Sequence, residues 1–178
     1  MAWLRSDLIT AFFLLLTAFG GTAAASSRVF CAAHYFVGDL ERRGAAIAFK
    51  WYCKGLNPLT FRYFLCPISI ENKHWVLGVV DREQRTVAVW DSYCIRRHKY
   101  ESLLLGFANE QLGGGFAVAA QPHGLPEQRD AFSCGVYVCA FAYILCHGRV
   151  PASADVSDAN QVYWRQLIGF CCLNKKIF

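Results

Sequence analysis

The sequence predicts an α+β fold, and three observations carry that expectation. Strand-like runs occupy the middle of the chain, helix-like runs lie towards both ends, and no internal repeat or low-complexity linker separates them. At 178 residues the chain has the length of one domain, so residues 1–178 are read as a single unit. Hydrophobic residues make up 55% and charged residues 17%, where an average soluble protein has roughly 25% charged. That balance excludes a disordered tail and points to a large buried core.

The first element admits two readings. "MAWLRSDLITAFFLLLTAFGGTAAASS" has a basic residue, an apolar stretch from Leu8 to Phe19 and then small residues, which is the layout of a secretory signal peptide over residues 1–25. The same letters describe a helix, with Ser6 as cap, Asp7 in the first turn and Gly20-Gly21 as the stop. On these rules alone the leader reading fits slightly better. The apolar run is too short to span a membrane.

From Val29 to Leu56 the pattern is mixed, with a helix expected around Asp39 to Trp51. Phe61 to Ile70 is rich in aromatic and β-branched residues and reads as a strand, with Pro67 arguing for an edge or irregular position. Trp75 to Val80 and Arg85 to Trp90 read as two strands around a polar turn at Asp81 to Gln84. Tyr100 to Leu112 is expected to be a helix, "GGGFAVAAQ" a loop with a short strand, and "PHGLPEQRDAF" a loop. Gly135 to Cys146 is apolar on every side, as a helix buried in a core must be. A last helix is expected over Ala159 to Leu173.

The net charge of +5 is scattered, with two small clusters, Arg42-Arg43 and Arg96-Arg97-His98-Lys99. These read as solvated faces, since a nucleic-acid footprint would need a denser stripe. The nine cysteines are odd in number and include no Cys-x-x-Cys pair, so reduced, mostly buried thiols of an intracellular protein are expected. A zinc set of Cys134, Cys139, Cys146 and His147 can be drawn on paper, but its spacings are not those of usual ligand sets, and no metal or cofactor is expected.

The hairpin makes a geometric prediction. With Arg82 and Glu83 at the turn centre, the register sets His74 directly opposite Asp91 on one face of the sheet, close enough for an imidazole and a carboxylate to share a hydrogen bond. The bland reading is an ion pair at a sheet rim. A one-residue slip would put the two on opposite faces. Cys134, in turn, stands where a polar loop enters the apolar helix. There the positive end of the helix dipole and the free N–H groups of the first turn favour a thiolate or an oxyanion. Gly135 is expected to leave room for a substrate carbonyl, Ser133 to cap the helix, and Gln128 to offer a side-chain amide as oxyanion donor. Nucleophile, base, orienting acid and oxyanion donor are the parts of a cysteine hydrolase.

These residues also carry a resemblance. "HW", then "WDS" with its aspartate 17 residues after the histidine, then Q-x5-CG followed by "VYVC", resemble the SUMO-specific, ubiquitin-like-protein protease family of cysteine peptidases. The resemblance implies a papain-like α+β fold, with a central mixed sheet and the nucleophile at the N-terminus of a buried helix. It implies His74 as general base, Asp91 as its partner, Cys134 as nucleophile and Gln128 as oxyanion-hole amide. Trp75 and Trp3 would be the two walls of a narrow tunnel for a Gly-Gly tail. Trp3-Leu4 followed by Ser6-Asp7-Leu8-Ile9 is similar to the family's opening, which turns the N-terminal apolar stretch into a structural helix, and "YWRQLIGF" resembles its closing helix. The domain is then expected to lack the family's first strand, as a fragment or as a divergent member of the mobile-element or viral kind.

The function so implied is cleavage of SUMO or another ubiquitin-like modifier after its C-terminal Gly-Gly, with those modifiers and their conjugates as partners, no nucleic acid and no membrane span. The expected location is nuclear or cytoplasmic, or secreted if the leader reading holds. Two departures bear on this. Ser6 stands where the family has an aspartate, and Ser133 replaces the aspartate usual before the nucleophile in SUMO proteases, which leaves the choice of modifier open. The alternatives are a protein acyltransferase using the same triad, against which Asp91 rather than glutamate argues, and a non-catalytic binding module.

Overall fold

The computed structural model describes residues 3–22, 28–54 and 60–178. A five-stranded mixed sheet runs in the order β1 to β5: β1 (Val29–Cys31), β2 (Tyr63–Ile70), β3 (His74–Asp81), β4 (Thr86–Trp90) and β5 (Ala117–Val118). The central three strands are antiparallel, while β1 and β5 run parallel to their neighbours. Alternation along β3 divides the core in two, because successive side chains point to opposite faces. Trp75, Leu77 and Val79 face α1 (Ser6–Gly20) and α5 (Cys134–Cys146), with α6 (Gln161–Asn174) behind them. Val76 and Val80 face α2 (Phe36–Arg43), α3 (Ala45–Tyr52) and α4 (His98–Gln111).

The N-terminal apolar stretch is a core helix. Ile9, Phe12, Phe13 and Leu16 recur at helical spacing and are fully buried in the layer that holds α5. Thr17 ties the helix to β1, its hydroxyl oxygen accepting the Cys31 N–H at 2.8 Å. Ser6 is not the cap: Arg5 occupies that position, without a side-chain cap bond. The helix ends at Gly20 as expected, but Gly21 stays right-handed. The reason for Gly20 is close approach, since a Cβ there would stand 2.7 Å from Val29 Cγ2. The small residues that follow fall mostly at 23–27, outside the described residues.

The single helix expected over Asp39 to Trp51 is two helices, α2 and α3. Gly44 breaks them with φ +84°, a left-handed conformation that costs glycine little. Pro67 is tolerated because β1 reaches only as far as Leu65, so beyond that residue β2 has β3 as its one sheet partner among the described residues. The apolar helix begins at Cys134 itself and runs to Cys146, as the sequence foresaw to within a residue. The last helix is preceded by a single 3-10 turn, Asp158–Asn160.

The hairpin register differs from the expectation by two residues. Asp81 pairs with Thr86 and Leu77 with Trp90, so the turn takes four residues, 82–85, with Arg85 at φ +53°. Continued one step, the ladder sets Asp91 level with Val76 rather than His74. Because the shift is even, both residues keep the same face, and the diagonal separation lies within reach of an imidazole and a carboxylate. Among the described residues no helix is long and apolar enough to cross a membrane.

Candidate active site

Cys134 is the first residue of α5 and is almost fully buried. What starts the helix there is Asp130, not Ser133. Asp130 Oδ1 accepts the N–H groups of Phe132 (2.9 Å) and Ser133 (2.8 Å), which holds the turn that delivers the thiol. Its other oxygen takes the Ser133 hydroxyl at 2.8 Å and Gln161 Nε2 from α6 at 3.0 Å. Partial burial pushes the Asp130 carboxyl up, but these donors outweigh it and hold the group down at about 2. Ser133 occupies the cap position without a side-chain cap bond, and its hydroxyl lies between Asp130 and Gln161 Oε1. The first N–H groups of α5 have no carbonyl inside the helix to meet, so this end of the helix can receive negative charge.

His74, at the start of β3, bonds Asp91 through Nε2 at 2.8 Å, which leaves the other ring nitrogen for the Cys134 thiol. Burial lowers the affinity of the ring for a proton, while its hydrogen bonds to Asp91 and Cys134 raise it, and the net result is a value raised to about 9. At neutral pH the ring therefore favours its cationic form, the form it takes on accepting a thiol proton. Asp91 has no exposed surface. Its burial opposes ionisation, but the bonds from His74 and the Tyr93 N–H keep the carboxyl below its ordinary range. Gln121, in the loop after β5, accepts the Asp91 N–H at 3.0 Å and fixes the end of β4.

Two side chains that sequence reasoning did not select complete this half of the site. Arg97, assigned above to a solvated face, turns inward and bonds Asp91 Oδ2 at 2.7 Å, so the buried carboxylate lies between an imidazole and a guanidinium. Tyr93 stacks on the His74 ring at 4.8 Å with 25° between planes, and its N–H donates to Asp91 Oδ1 at 2.8 Å. Nothing in the letters separates Arg97 from its neighbours Arg96 and Lys99, which pair with Glu101 and Glu41. Tyr93, two residues beyond the aspartate, was signalled only by proximity.

Gln128 is buried beside these groups. Its N–H donates to the Ser92 carbonyl (2.8 Å) and its Oε1 accepts the Ser92 hydroxyl (2.9 Å), so the serine of "WDS" pins the amide. Nε2 donates to the Asp130 carbonyl at 2.6 Å and reaches Tyr93 Oη at 3.2 Å. Trp75 is buried, edge-on to His34, whose Nδ1 meets Thr10 of α1 at 2.7 Å. Trp3 is exposed, in the segment leading into α1. Gly135 does not leave room for a substrate. A Cβ there would meet Ile9 Cδ1 at 3.0 Å, Leu4 Cβ at 3.2 Å and Trp75 Cδ1 at 3.6 Å, so its smallness admits α1 against α5. Leu4, the neighbour of Trp3, and Trp75 thus both flank the residue that follows Cys134.

The other thiols have a different setting. Cys139 and Cys146 lie inside α5, where burial pushes the first well above its ordinary value and the second to about 12. All nine cysteines are free. Among the described residues no group of three or more His, Cys, Asp or Glu side chains is placed to hold a metal ion.

Comparison with known proteins bears on the fold. Residues 60–105 match the model of the Ulp1 protease family, C-terminal catalytic domain. The chain is 25% identical over 111 residues to Sentrin-specific protease 2 of Homo sapiens, covering 57% of this chain and 19% of that protein. It is 20% identical over 184 residues to a Sentrin-specific protease of Caenorhabditis elegans, covering 98% and 26%. The chain thus spans about a quarter or less of the length of these relatives. Among solved structures, the catalytic domain of the Chaetomium thermophilum Ulp1-like SUMO protease superposes with a TM-score of 0.82 at 25% identity, covering 98% of this chain and 74% of the other. The Ulp1 protease domain in complex with Smt3, the yeast ortholog of SUMO, gives 0.78 at 20% identity, covering 97% and 77%. The Xanthomonas campestris effector XopD bound to ubiquitin gives 0.63 at 23%, covering 93% and 91%. The fold is the papain-like, Ulp1-type α+β fold that the motifs implied.

Proposed function

Starting from a chain related in fold and sequence to the ubiquitin-like-protein protease family, we propose that it is a cysteine peptidase or isopeptidase that cleaves SUMO or another ubiquitin-like modifier after its C-terminal Gly-Gly. The observation that carries this reading is the meeting of three groups from distant parts of the chain. Cys134, at the start of a buried helix, lies beside a histidine whose proton affinity it raises, and that histidine is itself held at 2.8 Å by a fully buried aspartate. The matched structures of a complex with Smt3, the yeast ortholog of SUMO, and of a complex with ubiquitin support the class of partner.

In this mechanism His74 accepts the thiol proton and its cation is stabilised by Asp91. The Cys134 sulfur bonds the glycine carbonyl carbon, and the oxyanion is met by the Cys134 N–H and by the Gln128 side-chain amide. His74 returns the proton to the leaving amine, and water then releases the acyl-enzyme. Trp3 and Trp75 select glycine by excluding side chains. Residues 1–178 act as one catalytic domain, in the nucleus or cytoplasm, where the nine thiols stay reduced.

The test is a panel of modifiers with electrophilic C-termini: SUMO, ubiquitin and other ubiquitin-like proteins. Labelling by at least one is expected and should be lost in Cys134→Ala; labelling that survives that substitution refutes the nucleophile. Substrates with alanine in place of either glycine should turn over poorly. Acetyl transfer from acetyl-CoA without peptidase activity would establish acyl transfer instead.

A further inference from the structure

We propose that Tyr93 is a positioning residue that joins the two halves of the site, holding the His74 ring through its own ring and the Gln128 amide through its hydroxyl. The inference rests on the reading of Cys134 and His74 as the reacting pair. Four contacts of one residue carry it. The ring stacks on His74 at 4.8 Å, and the backbone N–H goes to the same Asp91 oxygen that holds His74. The hydroxyl donates to the Asp130 carbonyl at 2.6 Å and accepts from Gln128 Nε2 at 3.2 Å. Tyr93 therefore contacts the base, the orienting acid, the oxyanion amide and the residue that starts the nucleophile's helix. No other side chain of the site described above contacts all four.

The chemistry of each contact is specific. A π-face laid on an imidazole favours its cationic form, as other ring faces favour cations. The charged and titratable groups around His74 are Asp91 with Arg97 behind it, Cys134 from α5 and Tyr93 itself. Burial first, then the nearby charges of Cys134, Asp130 and Asp91, raise the Tyr93 hydroxyl above its ordinary value, so it stays a donor through neutral pH. As a donor it fixes the Asp130 carbonyl at 2.6 Å, and as an acceptor at 3.2 Å it holds the Gln128 amide in its present orientation. Without it, Gln128 keeps only Asp130 and Ser92, and the amide is free to tilt away from an arriving oxyanion.

Tyr93→Phe and Tyr93→Leu separate the two roles, and two readouts need no knowledge of the modifier. The first is the pH dependence of Cys134 alkylation by iodoacetamide, which reports the thiol–imidazole pair. The second is the affinity of a short peptide aldehyde ending in Gly-glycinal. Its carbon bonds the Cys134 sulfur while the thiol proton passes to the aldehyde oxygen, which then lies where the oxyanion forms. Tyr93→Phe should leave the alkylation profile unchanged and weaken the aldehyde about tenfold, as expected for a donor loosened rather than removed. That tenfold loss should disappear in a Gln128→Ala background, because the hydroxyl acts through the amide. Tyr93→Leu should weaken the aldehyde equally and also lower the His74-dependent midpoint of alkylation by about half a pH unit, the size of an exposed cation–ring contact.

Wild-type behaviour of both variants overturns the inference. So does an aldehyde loss that persists unchanged without Gln128, or a wild-type protein that does not bind the aldehyde. Equal losses by Phe and Leu in both readouts, with a lowered melting temperature, mark Tyr93 as packing only and overturn it too. Failure of the peptidase reading looks different: no modifier is turned over while alkylation and aldehyde binding keep the pattern described.

Discussion

Replacing Arg97 by glutamine should destabilise the protein in a way that depends on pH, and the dependence identifies what the guanidinium does. Asp91 is wholly buried, with Arg97 on one oxygen at 2.7 Å and His74 on the other at 2.8 Å. Removing one partner of a buried pair costs roughly 3–5 kcal/mol, and the 22% exposure of the Arg97 side chain reduces this to about 2 kcal/mol through solvent screening. The loss need not be uniform, because His74 can still compensate the carboxylate while it is charged. Its folded value is raised to about 9 from an ordinary 6.5. The stability from the His74–Asp91 pair is therefore fully present below about pH 6.5 and is lost as pH rises through about 9. In the parent protein the Arg97–Asp91 pair at 2.7 Å covers that loss. In Arg97→Gln nothing does, so the melting temperature should fall little at pH 6 and by roughly 4–8 °C near pH 9.5, using about 2–4 °C per kcal/mol for a chain of this length. Thermal melts across that range, with Arg97→Lys as a charge-retaining control, read it directly. A deficit of the same size at pH 6 and pH 9.5 would refute the shared-carboxylate account, and no deficit at all would return Arg97 to the solvent.

Three further outcomes follow from the same contacts. Asp130→Ala removes the acceptor for the Phe132 and Ser133 N–H groups, a cap loss of about 1–2 kcal/mol. Because the folded value is held at about 2, below the ordinary 3.8, melts should show the deficit above about pH 4 and its disappearance as pH falls towards 2. Gly135→Ala should push α1 away from α5, costing about 1–3 kcal/mol as an overpacked contact, and should slow Cys134 alkylation measured beside the melt. Phe12→Ala opens a cavity in a fully buried position and should cost about 3–5 kcal/mol in denaturant unfolding; a near-neutral result would detach α1 from the core.

Much of the fold was legible because its elements obey simple periodicities. The spacing of Ile9, Phe12, Phe13 and Leu16 is helical whether or not the stretch also looks like a leader, and α5 is apolar on all sides because it lies between α1, the sheet and α6. What the letters hid was backbone geometry that no side-chain pattern encodes. The break at Gly44 needs a positive φ, and the four-residue hairpin turn needs Arg85 in a left-handed conformation that a non-glycine residue seldom takes. The expected turn, Asp81 to Gln84, lies one residue earlier than the observed turn at 82–85, and that displacement moved the register by two.

That error is instructive about the site. His74 and Asp91 were expected to meet because they stood directly opposite; they meet because an even shift preserves the face and the side chains span the diagonal. The face, not the register, is the quantity that a histidine–aspartate pair on adjacent strands requires, and the face follows from parity alone. The same logic explains which partners stayed hidden. Gln128 and Cys134 lie on a continuous stretch whose spacing brings them to one helix start, so the sequence can show them together. Arg97 and Tyr93 reach the site through the path of the loop after β4, where the chain turns back towards β3 with Cys94 at φ +57°. A loop's path is set by the groups that bind it, here Asp91, Gln128 and Asp130. The residues that assemble the site are therefore also the ones that fold the loop, and that reciprocity becomes visible only in three dimensions.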